Sequence, residues 1–336
     1  MENTSENKPW IRTVTPEITP PDLKDNTADV DRLVKVIKKA LSTESVSVEF
    51  TLVQGLSRTM RKCDYNVCAI LFEGPNGWHL IDIVPPRNED NIYGLAVDLG
   101  SSTVVIRLLD LISRKTKDEM SFHNPQIEIG TDILTRIHFA AQEGGLSELQ
   151  GLIIDRLNHK IDQLAQKNGI SAGSIVGMSV AGNTTMTHLF LGLDPYWLCR
   201  EPYIPVINKL DPIKSAELGL AINPVAPVLV FPNVGSYFGG DLIAGILASG
   251  MTRRSETSFL VDVGTNAEVV IGNSDWLMAC AGAAGPALEG GVADMGMMAG
   301  PGVIDKIEIN PSTSQKKIRI VGSHNQSGRQ QWLGNG

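Results

Sequence analysis

Asp98-Leu99-Gly100-Ser101-Ser102-Thr103 and Asp262-Val263-Gly264-Thr265-Asn266 decide how this chain is read. Each stretch follows an apolar, β-favouring run: Tyr93-Gly94-Leu95-Ala96-Val97 before the first, Phe259-Leu260-Val261 before the second. Each is followed by another such run, Val104-Val105-Ile106-Arg107-Leu108-Leu109 and Ala267-Glu268-Val269-Val270-Ile271. The pattern predicts two β-hairpins, each with an acidic residue at the end of its first strand and a turn of glycine and hydroxyl-bearing residues. Glycine lets the backbone come close to a ligand, and successive N–H groups can then cradle phosphate oxygens. A carboxylate beside such a turn can hold a hydrated Mg²⁺ against those phosphates. One Asp-x-Gly turn is commonplace. Two of them, each opening a lobe, point to a duplicated fold that clamps a nucleotide.

The paired turns resemble the phosphate-1 and phosphate-2 motifs of the actin-like ATPase superfamily. Three further stretches sharpen the resemblance. Ala181-Gly182-Asn183-Thr184-Thr185-Met186-Thr187-His188-Leu189-Phe190-Leu191-Gly192-Leu193-Asp194-Pro195 is similar to a signature of the reductive activators of corrinoid proteins. Tyr237-Phe238-Gly239-Gly240-Asp241-Leu242-Ile243-Ala244 resembles that family's glycine–aspartate helix start, and Ala283-Ala284-Gly285-Pro286-Ala287-Leu288-Glu289-Gly290 its Gly/Ala-rich loop. The matching segments run in the family's order over roughly residues 93 to 305. The resemblance implies an α/β actin-like ATPase fold of two lobes, each with a mixed β-sheet and helices. A small α/β domain would precede them, and the second lobe is expected to be incomplete.

Composition sets outer limits. Hydrophobic residues make up 42% of the 336 and charged residues 20%, the balance of a globular chain rather than a disordered one. The net charge of −8, with no basic block, argues against nucleic acid as the main partner, since phosphate-backbone binding needs a Lys/Arg surface. No apolar run approaches the ~18 residues expected of a membrane span, and the polar N-terminus has no signal core. A cytoplasmic protein is expected. Cys63 and Cys68 are five apart without nearby partners, and Cys199 and Cys280 are isolated. An iron–sulfur cluster needs four convergent thiolates, so none is expected in this chain. The scattered histidines show no zinc-site spacing.

Residues 1–24 read as an extended, Pro-rich tail. Residues 25–90 read as a small α/β domain. Within it a helix carries Val30, Leu33, Val34, Ile37 and Leu41 after the cap Thr27, a strand alternates Val46, Val48 and Phe50, and a hairpin spans Val67–Phe72 and Trp78–Val84. The resembling family has a linker and small middle domain here, after a ferredoxin-like domain that is not seen in this sequence. The first lobe is placed at 93–227, with helices over about 131–142 and 146–167, a strand over 174–181, and a Pro-rich crossing segment over 200–227. The second lobe is placed at 228–336, with a strand at 228–231 and a helix near 241–249. Beyond Val321 no counterpart is found for the second connecting helix or the Gly-rich adenosine motif. A fragment of a longer protein, or a naturally shortened one, is expected, with weak nucleotide binding and poor discrimination between ATP and GTP.

Asp98 and Asp262 are the foremost candidates for Mg²⁺ and catalysis, with a turn Asp bonding its own backbone as the alternative. Gly100, Ser101, Ser102, Thr103, Gly264, Thr265 and Asn266 are candidate phosphate contacts or turn supports. Gly182 would permit close approach of chain segments, and Asn183 is either a nucleotide contact or a helix N-cap. Asp241 either caps a helix or orients water near the γ-phosphate. Glu289 lies where bulk is minimal, which points to a metal or nucleotide role. His188, among Leu189 and Phe190, is read as a satisfied buried histidine, and Asn124-Pro125-Gln126 as a loop beside the site without chemistry of its own.

ATP and Mg²⁺ are the cofactors these residues imply, acting by positioning and charge neutralisation. The resemblance implies an ATP-dependent reductive activator of a corrinoid protein, taking cob(II)amide to cob(I)amide with electrons from a separate ferredoxin-like donor. A homodimer through the small domain is compatible with it. A small-molecule kinase of the same superfamily, with Asp241 as base, and a non-catalytic nucleotide-sensing or partner-binding protein are the alternatives.

Overall fold

The computed structural model describes residues 9–86, 92–264, 266–283, 301–309 and 316–320. They fall into two compact units, 1–248 and 249–336.

The first unit opens with a four-stranded sheet in the order β1-β3-β4-β2. Its strands are β1 (Ile11–Val14), β2 (Val46–Val48), β3 (Cys68–Gly74) and β4 (Gly77–Val84). The predicted hairpin is β3–β4, antiparallel and closed between Gly74 and Gly77. Helices α1 (Asp29–Leu41) and α2 (Phe50–Lys62) cover one face, burying Leu33, Ile37, Leu56 and Met60 against Val67, Ala69 and Leu71.

Three expectations for this region are corrected. Residues 11–14 are not tail. They pair antiparallel with β3, because Ile11 gains a buried site beside Phe72 and Ile70. Phe50 is not in a strand. It opens α2 and is 73% exposed, while the buried face is built from Leu56 and Met60 at helical spacing. Thr27 is not the cap of α1; Ala28 takes that position, and Thr27 bonds to Asp25 instead.

A six-stranded mixed sheet follows, ordered β7-β6-β5-β8-β10-β9. It is formed by β5 (Tyr93–Leu99), β6 (Thr103–Asp110), β7 (Lys115–His123), β8 (Ile175–Gly182), β9 (Ile213–Lys214) and β10 (Pro227–Val230). The strands β5, β8 and β10 are parallel, and β5–β6–β7 is an antiparallel meander. Helices α3 (Ile133–Ala140), α4 (Gly145–Asn168) and α5 (Thr184–Leu191) join them. The periodic apolar stripe of α4, Leu149, Ile153, Leu157, Ile161 and Leu164, is fully buried against Leu95, Val97, Met178 and Val180. The helix ends at Gly169, which takes the left-handed conformation of a C-cap.

The lobe boundary expected at 227/228 is corrected. β10 pairs parallel with β8, with Val228 opposite Met178, and Val228 and Val230 belong to the same core as β5. The Pro-rich crossing segment therefore returns to the sheet it left. The helix α6 (Gly240–Ser249) begins within this unit, and the division falls at its C-terminal end. The small sheet also docks here: Ile11, Ile70, Phe72 and Ile81 form one apolar cluster with Ile92 and Val176.

The second unit holds an antiparallel meander of β11 (Ser258–Val263), β12 (Asn266–Gly272) and β13 (Leu277–Ala283), and a hairpin of β14 (Ile304–Ile309) and β15 (Lys316–Ile320). Both Asp-Gly hairpins of the sequence are thus present, as β5–β6 and β11–β12.

Candidate functional site

The parallel order of β5, β8 and β10 brings three chain turns to one edge of the sheet, at the strands' carboxyl ends, where ligands bind in open α/β sheets. Leu99 and Gly182 end β5 and β8 side by side in register. A Cβ at Gly182 would come within 2.8 Å of the Leu99 carbonyl oxygen, so only glycine fits. Gly239, just before α6, is packed tighter still. A Cβ there would overlap the Cα of Asn183 and crowd the Gly182 carbonyl oxygen and the Asp241 carboxylate. Asp98, Gly100, Ser101, Ser102, Thr103, Gly182, Asn183 and Asp241 are thereby gathered along one edge.

Asp98 is the penultimate residue of β5, exposed, opposite Val105 on β6 and Ala181 on β8. The turn behind it is tight, since a Cβ at Gly100 would overlap the Thr103 carbonyl. Ser101 is buried and Ser102 exposed. Asn183 caps α5, its Oδ1 accepting from the Met186 N–H at 2.9 Å. Asp241 Oδ1 accepts from the Leu242 N–H at 2.9 Å at the start of α6. The Asn183 bond is the capping alternative read from the sequence, whereas Asp241 is the second residue of α6 and bonds the N–H of the next residue within the first turn, not as an N-cap. Both bonds orient the two side chains at helix N-termini, where the backbone dipole favours anions.

The second turn repeats the first by position. Asp262 is penultimate in β11, half-buried, and faces Glu268 across the β11–β12 pair; Gly264 follows, as Gly100 follows Leu99. The register places two acidic residues on facing positions of adjacent strands. Asn266 begins β12. Thr265 and Glu289 lie outside the described residues. Among the described residues no group of three or more His, Cys, Asp or Glu could hold a metal ion. Cys68 is buried on β3, Cys63 and Cys199 are half-buried, and Cys280 is exposed on β13.

The sequence places Asn124-Pro125-Gln126 in a loop beside the site, but Arg136, also beneath the first turn, was passed over. Asn124, Gln126 and Arg136 are all but fully buried, and they are polar. Asn124 Nδ2 donates to the Gly100 carbonyl at 2.9 Å, and Arg136 Nη2 to the Ser101 carbonyl at 2.7 Å. Gln126 Nε2 donates to the Leu149 carbonyl at 2.9 Å. The available signal was local polarity: Asn124 and Gln126 around Pro125, and Asp132, Thr135 and Arg136 around the apolar Ile133-Leu134. His188 matches its expectation of a satisfied, buried histidine: Nδ1 donates to the Thr184 carbonyl at 2.7 Å and Nε2 accepts from the Val206 N–H at 3.0 Å.

A mixed sheet with parallel central strands, glycine turns at their carboxyl ends and a second Asp-Gly hairpin defines the class: an α/β protein of the actin-like ATPase fold. Profile matches place it further. The RACo linker region matches residues 2–90, the RACo middle region 93–254, and the C-terminal domain of RACo, the ASKHA domain, 256–329. The chain belongs to the RACo family. Corrinoid activation enzyme RamQ of Eubacterium limosum is 32% identical over 288 residues, 84% of this chain and 46% of the relative. The [Co(II) methylated amine-specific corrinoid protein] reductase of Methanosarcina barkeri is 27% identical over 240 residues, 68% of this chain and 43% of the relative. A solved structure of a reductive activator for corrinoid,iron-sulfur protein superposes with a TM-score of 0.77 at 33% identity, over 94% of this chain and 50% of its own. The chain thus spans about half the length of these relatives.

Proposed function

We propose that this chain carries the ATP-binding part of a reductive activator of a corrinoid protein. One observation carries the reading: the close approach of Gly182 and Gly239 sets the Asp98 turn, the cap of α5 and the start of α6 along one sheet edge, in a chain of the RACo family. Such an edge offers backbone N–H groups, two helix N-termini and a carboxylate, the donor set a Mg²⁺–polyphosphate needs.

In this reading Gly100, Ser101, Ser102 and Thr103 hold phosphate oxygens on the first turn, and Gly264, Thr265 and Asn266 do so on the second. Asp98 and Asp262 each hold Mg²⁺, Asp241 orients water, and Glu289 assists the metal or nucleotide. ATP supplies the free energy for an uphill reduction. One electron passes from a separate ferredoxin-like donor to the Co(II) of the partner corrinoid, giving Co(I).

The test combines the chain with MgATP, a corrinoid protein in its Co(II) state and a chemical reductant, and follows Co(I) by absorbance. Co(I) is expected only with ATP. Calorimetry is expected to show Mg²⁺-dependent nucleotide binding that falls about tenfold or more with Asp98→Ala and with Asp262→Ala, the scale of losing one charged contact of about 1.5–3 kcal/mol. ATP-independent reduction, or unchanged affinity in both variants, would refute the proposal.

A further inference from the structure

The first Asp-Gly turn is held from beneath by its carbonyl groups. Gly100 O accepts from Asn124 Nδ2 at 2.9 Å, Ser101 O from Arg136 Nη2 at 2.7 Å, and Ser102 O from the Asn124 backbone N–H at 2.9 Å. Three successive carbonyls of the turn are therefore drawn toward the protein interior. A trans peptide unit points its N–H opposite to its carbonyl. Fixing the carbonyls inward turns the N–H side of the same peptides outward, the polarity an anion requires, and keeps carbonyl oxygens from facing it.

Arg136 is an unexpected choice for such a brace. It is 0% exposed. Its remaining donors reach only neutral acceptors: Nε donates to the Gly130 carbonyl at 2.8 Å and Nη1 to Met186 Sδ at 3.3 Å. Among the described residues no carboxylate forms an ion pair with it. The acidic group that acts on it, Asp132, is committed to Thr135, accepting from its N–H at 2.9 Å and its Oγ1 at 2.6 Å. A buried charge without a directly paired counter-charge is costly, and a neutral donor would satisfy the Ser101 carbonyl for less. Burial lowers the guanidinium pKa to about 10, so the group stays protonated at neutral pH. A fixed cation that no ion pair neutralises, one hydrogen bond behind the turn, acts on whatever anion docks there.

We infer that Arg136, together with Asn124, is a positioning residue of the phosphate site: it pins the turn's carbonyls inward and supplies the buried positive charge that a polyphosphate bound at the turn neutralises. The inference rests on the proposed phosphate role of the turn and adds the residues that set its polarity and its preference for highly charged anions.

The experiment measures binding of magnesium tripolyphosphate to residues 1–336 by calorimetry, for wild type and for Arg136→Lys, Arg136→Gln and Arg136→Met. Gln keeps a donor for the Ser101 carbonyl without charge, and Lys keeps charge without the fork. Both neutral variants are expected to lose about tenfold or more in affinity, with Lys recovering part of the loss. Circular dichroism checks each fold. Equal affinity in wild type and the neutral variants overturns the inference alone, and so does a loss in Lys as large as in Gln, which would mark a purely structural brace. A wild type that does not bind tripolyphosphate overturns the phosphate reading itself. Should the neutral variants not fold, the wild type is read directly. The Arg136 Nε–H resonance, identified by its loss in Arg136→Lys, is expected to shift on adding magnesium tripolyphosphate, and an unmoved resonance refutes the inference.

Discussion

His188 shows how one side chain ties a loop to a helix. It lies in α5, wholly buried, donating to the Thr184 carbonyl one turn back and accepting from the Val206 N–H in the Pro-rich crossing segment. The two bonds fix the neutral, Nδ1-protonated tautomer, because only an unprotonated Nε2 can accept. Burial pushes its pKa below the usual 6.5. A depressed pKa means that the unfolded state binds the proton more readily. The stabilisation is complete above about pH 6.5 and is lost as the pH falls below it. Urea unfolding from pH 8 to pH 5 is therefore expected to show wild type losing more stability than His188→Gln. At pH 8 the variant is expected to be less stable by about 1–3 kcal/mol, the scale of stranding a buried backbone donor. Parallel pH profiles would show that His188 does not couple to folding.

At the scale of elements, close approach of glycines assembles the site. The β8–α5 turn and the start of α6 meet where Gly239 leaves no room for a Cβ against Asn183. Gly239→Ala should force these elements apart at a cost of about 1–3 kcal/mol, the scale of overpacking. It should also weaken polyphosphate binding, and thermal denaturation with calorimetry reads both; an unshifted melting temperature would contradict the packing. The small sheet is fastened to the lobe by a polar contact as well as the Ile70–Val176 cluster. Asp82 of β4 accepts from Asn223 Nδ2 at 3.0 Å beside a cleft of about 360 Å³, and Glu49 pairs with Lys214 at 2.8 Å. Burial raises the Asp82 pKa, partly offset by the Ile83 N–H and Asn223. A double-mutant cycle of Asp82→Ala with Asn223→Ala is expected to give a coupling of about 1–3 kcal/mol at pH 7, the range for a hydrogen bond to a charged group. Additive effects would show that the contact contributes nothing to docking.

At the scale of the whole molecule, the three apolar clusters found among the described residues lie within residues 1–248. They hold nearly all of the buried apolar side chains described, so a chain of residues 1–248 is expected to fold on its own, which circular dichroism with urea unfolding checks. It retains Asp98, Asn124 and Arg136 and lacks Asp262. Its affinity for magnesium tripolyphosphate is expected to fall below that of residues 1–336, and a fully retained affinity would remove Asp262 and Gly264 from the phosphate role. No helix among the described residues is long and apolar enough to cross a membrane.

Local patterns in the sequence were enough for the β5–β6, β11–β12 and β3–β4 hairpins, the long α4 stripe, the cap at Asn183, and the family, because period-2 and period-3.6 apolar spacing and turn glycines are properties of neighbouring residues. Phe50 was misread because it continues the alternation of Val46 and Val48, while the helix it opens buries Leu56 and Met60 only against β3 and β4. β1 and β10 were misplaced because strand pairing is a non-local choice. Ile11 was assigned by Phe72 and Val228 by Met178, partners dozens of residues away. That Asn124 and Arg136 bond the carbonyls of the Asp98 turn was not legible for the same reason. Gly100 and Asn124 are 24 residues apart, and Ser101 and Arg136 are 35 apart. Nothing in Arg136's own neighbourhood says that its guanidinium turns inward to a carbonyl. Only the folded chain, by closing α3 over the turn, decides that a buried charge stands behind the site.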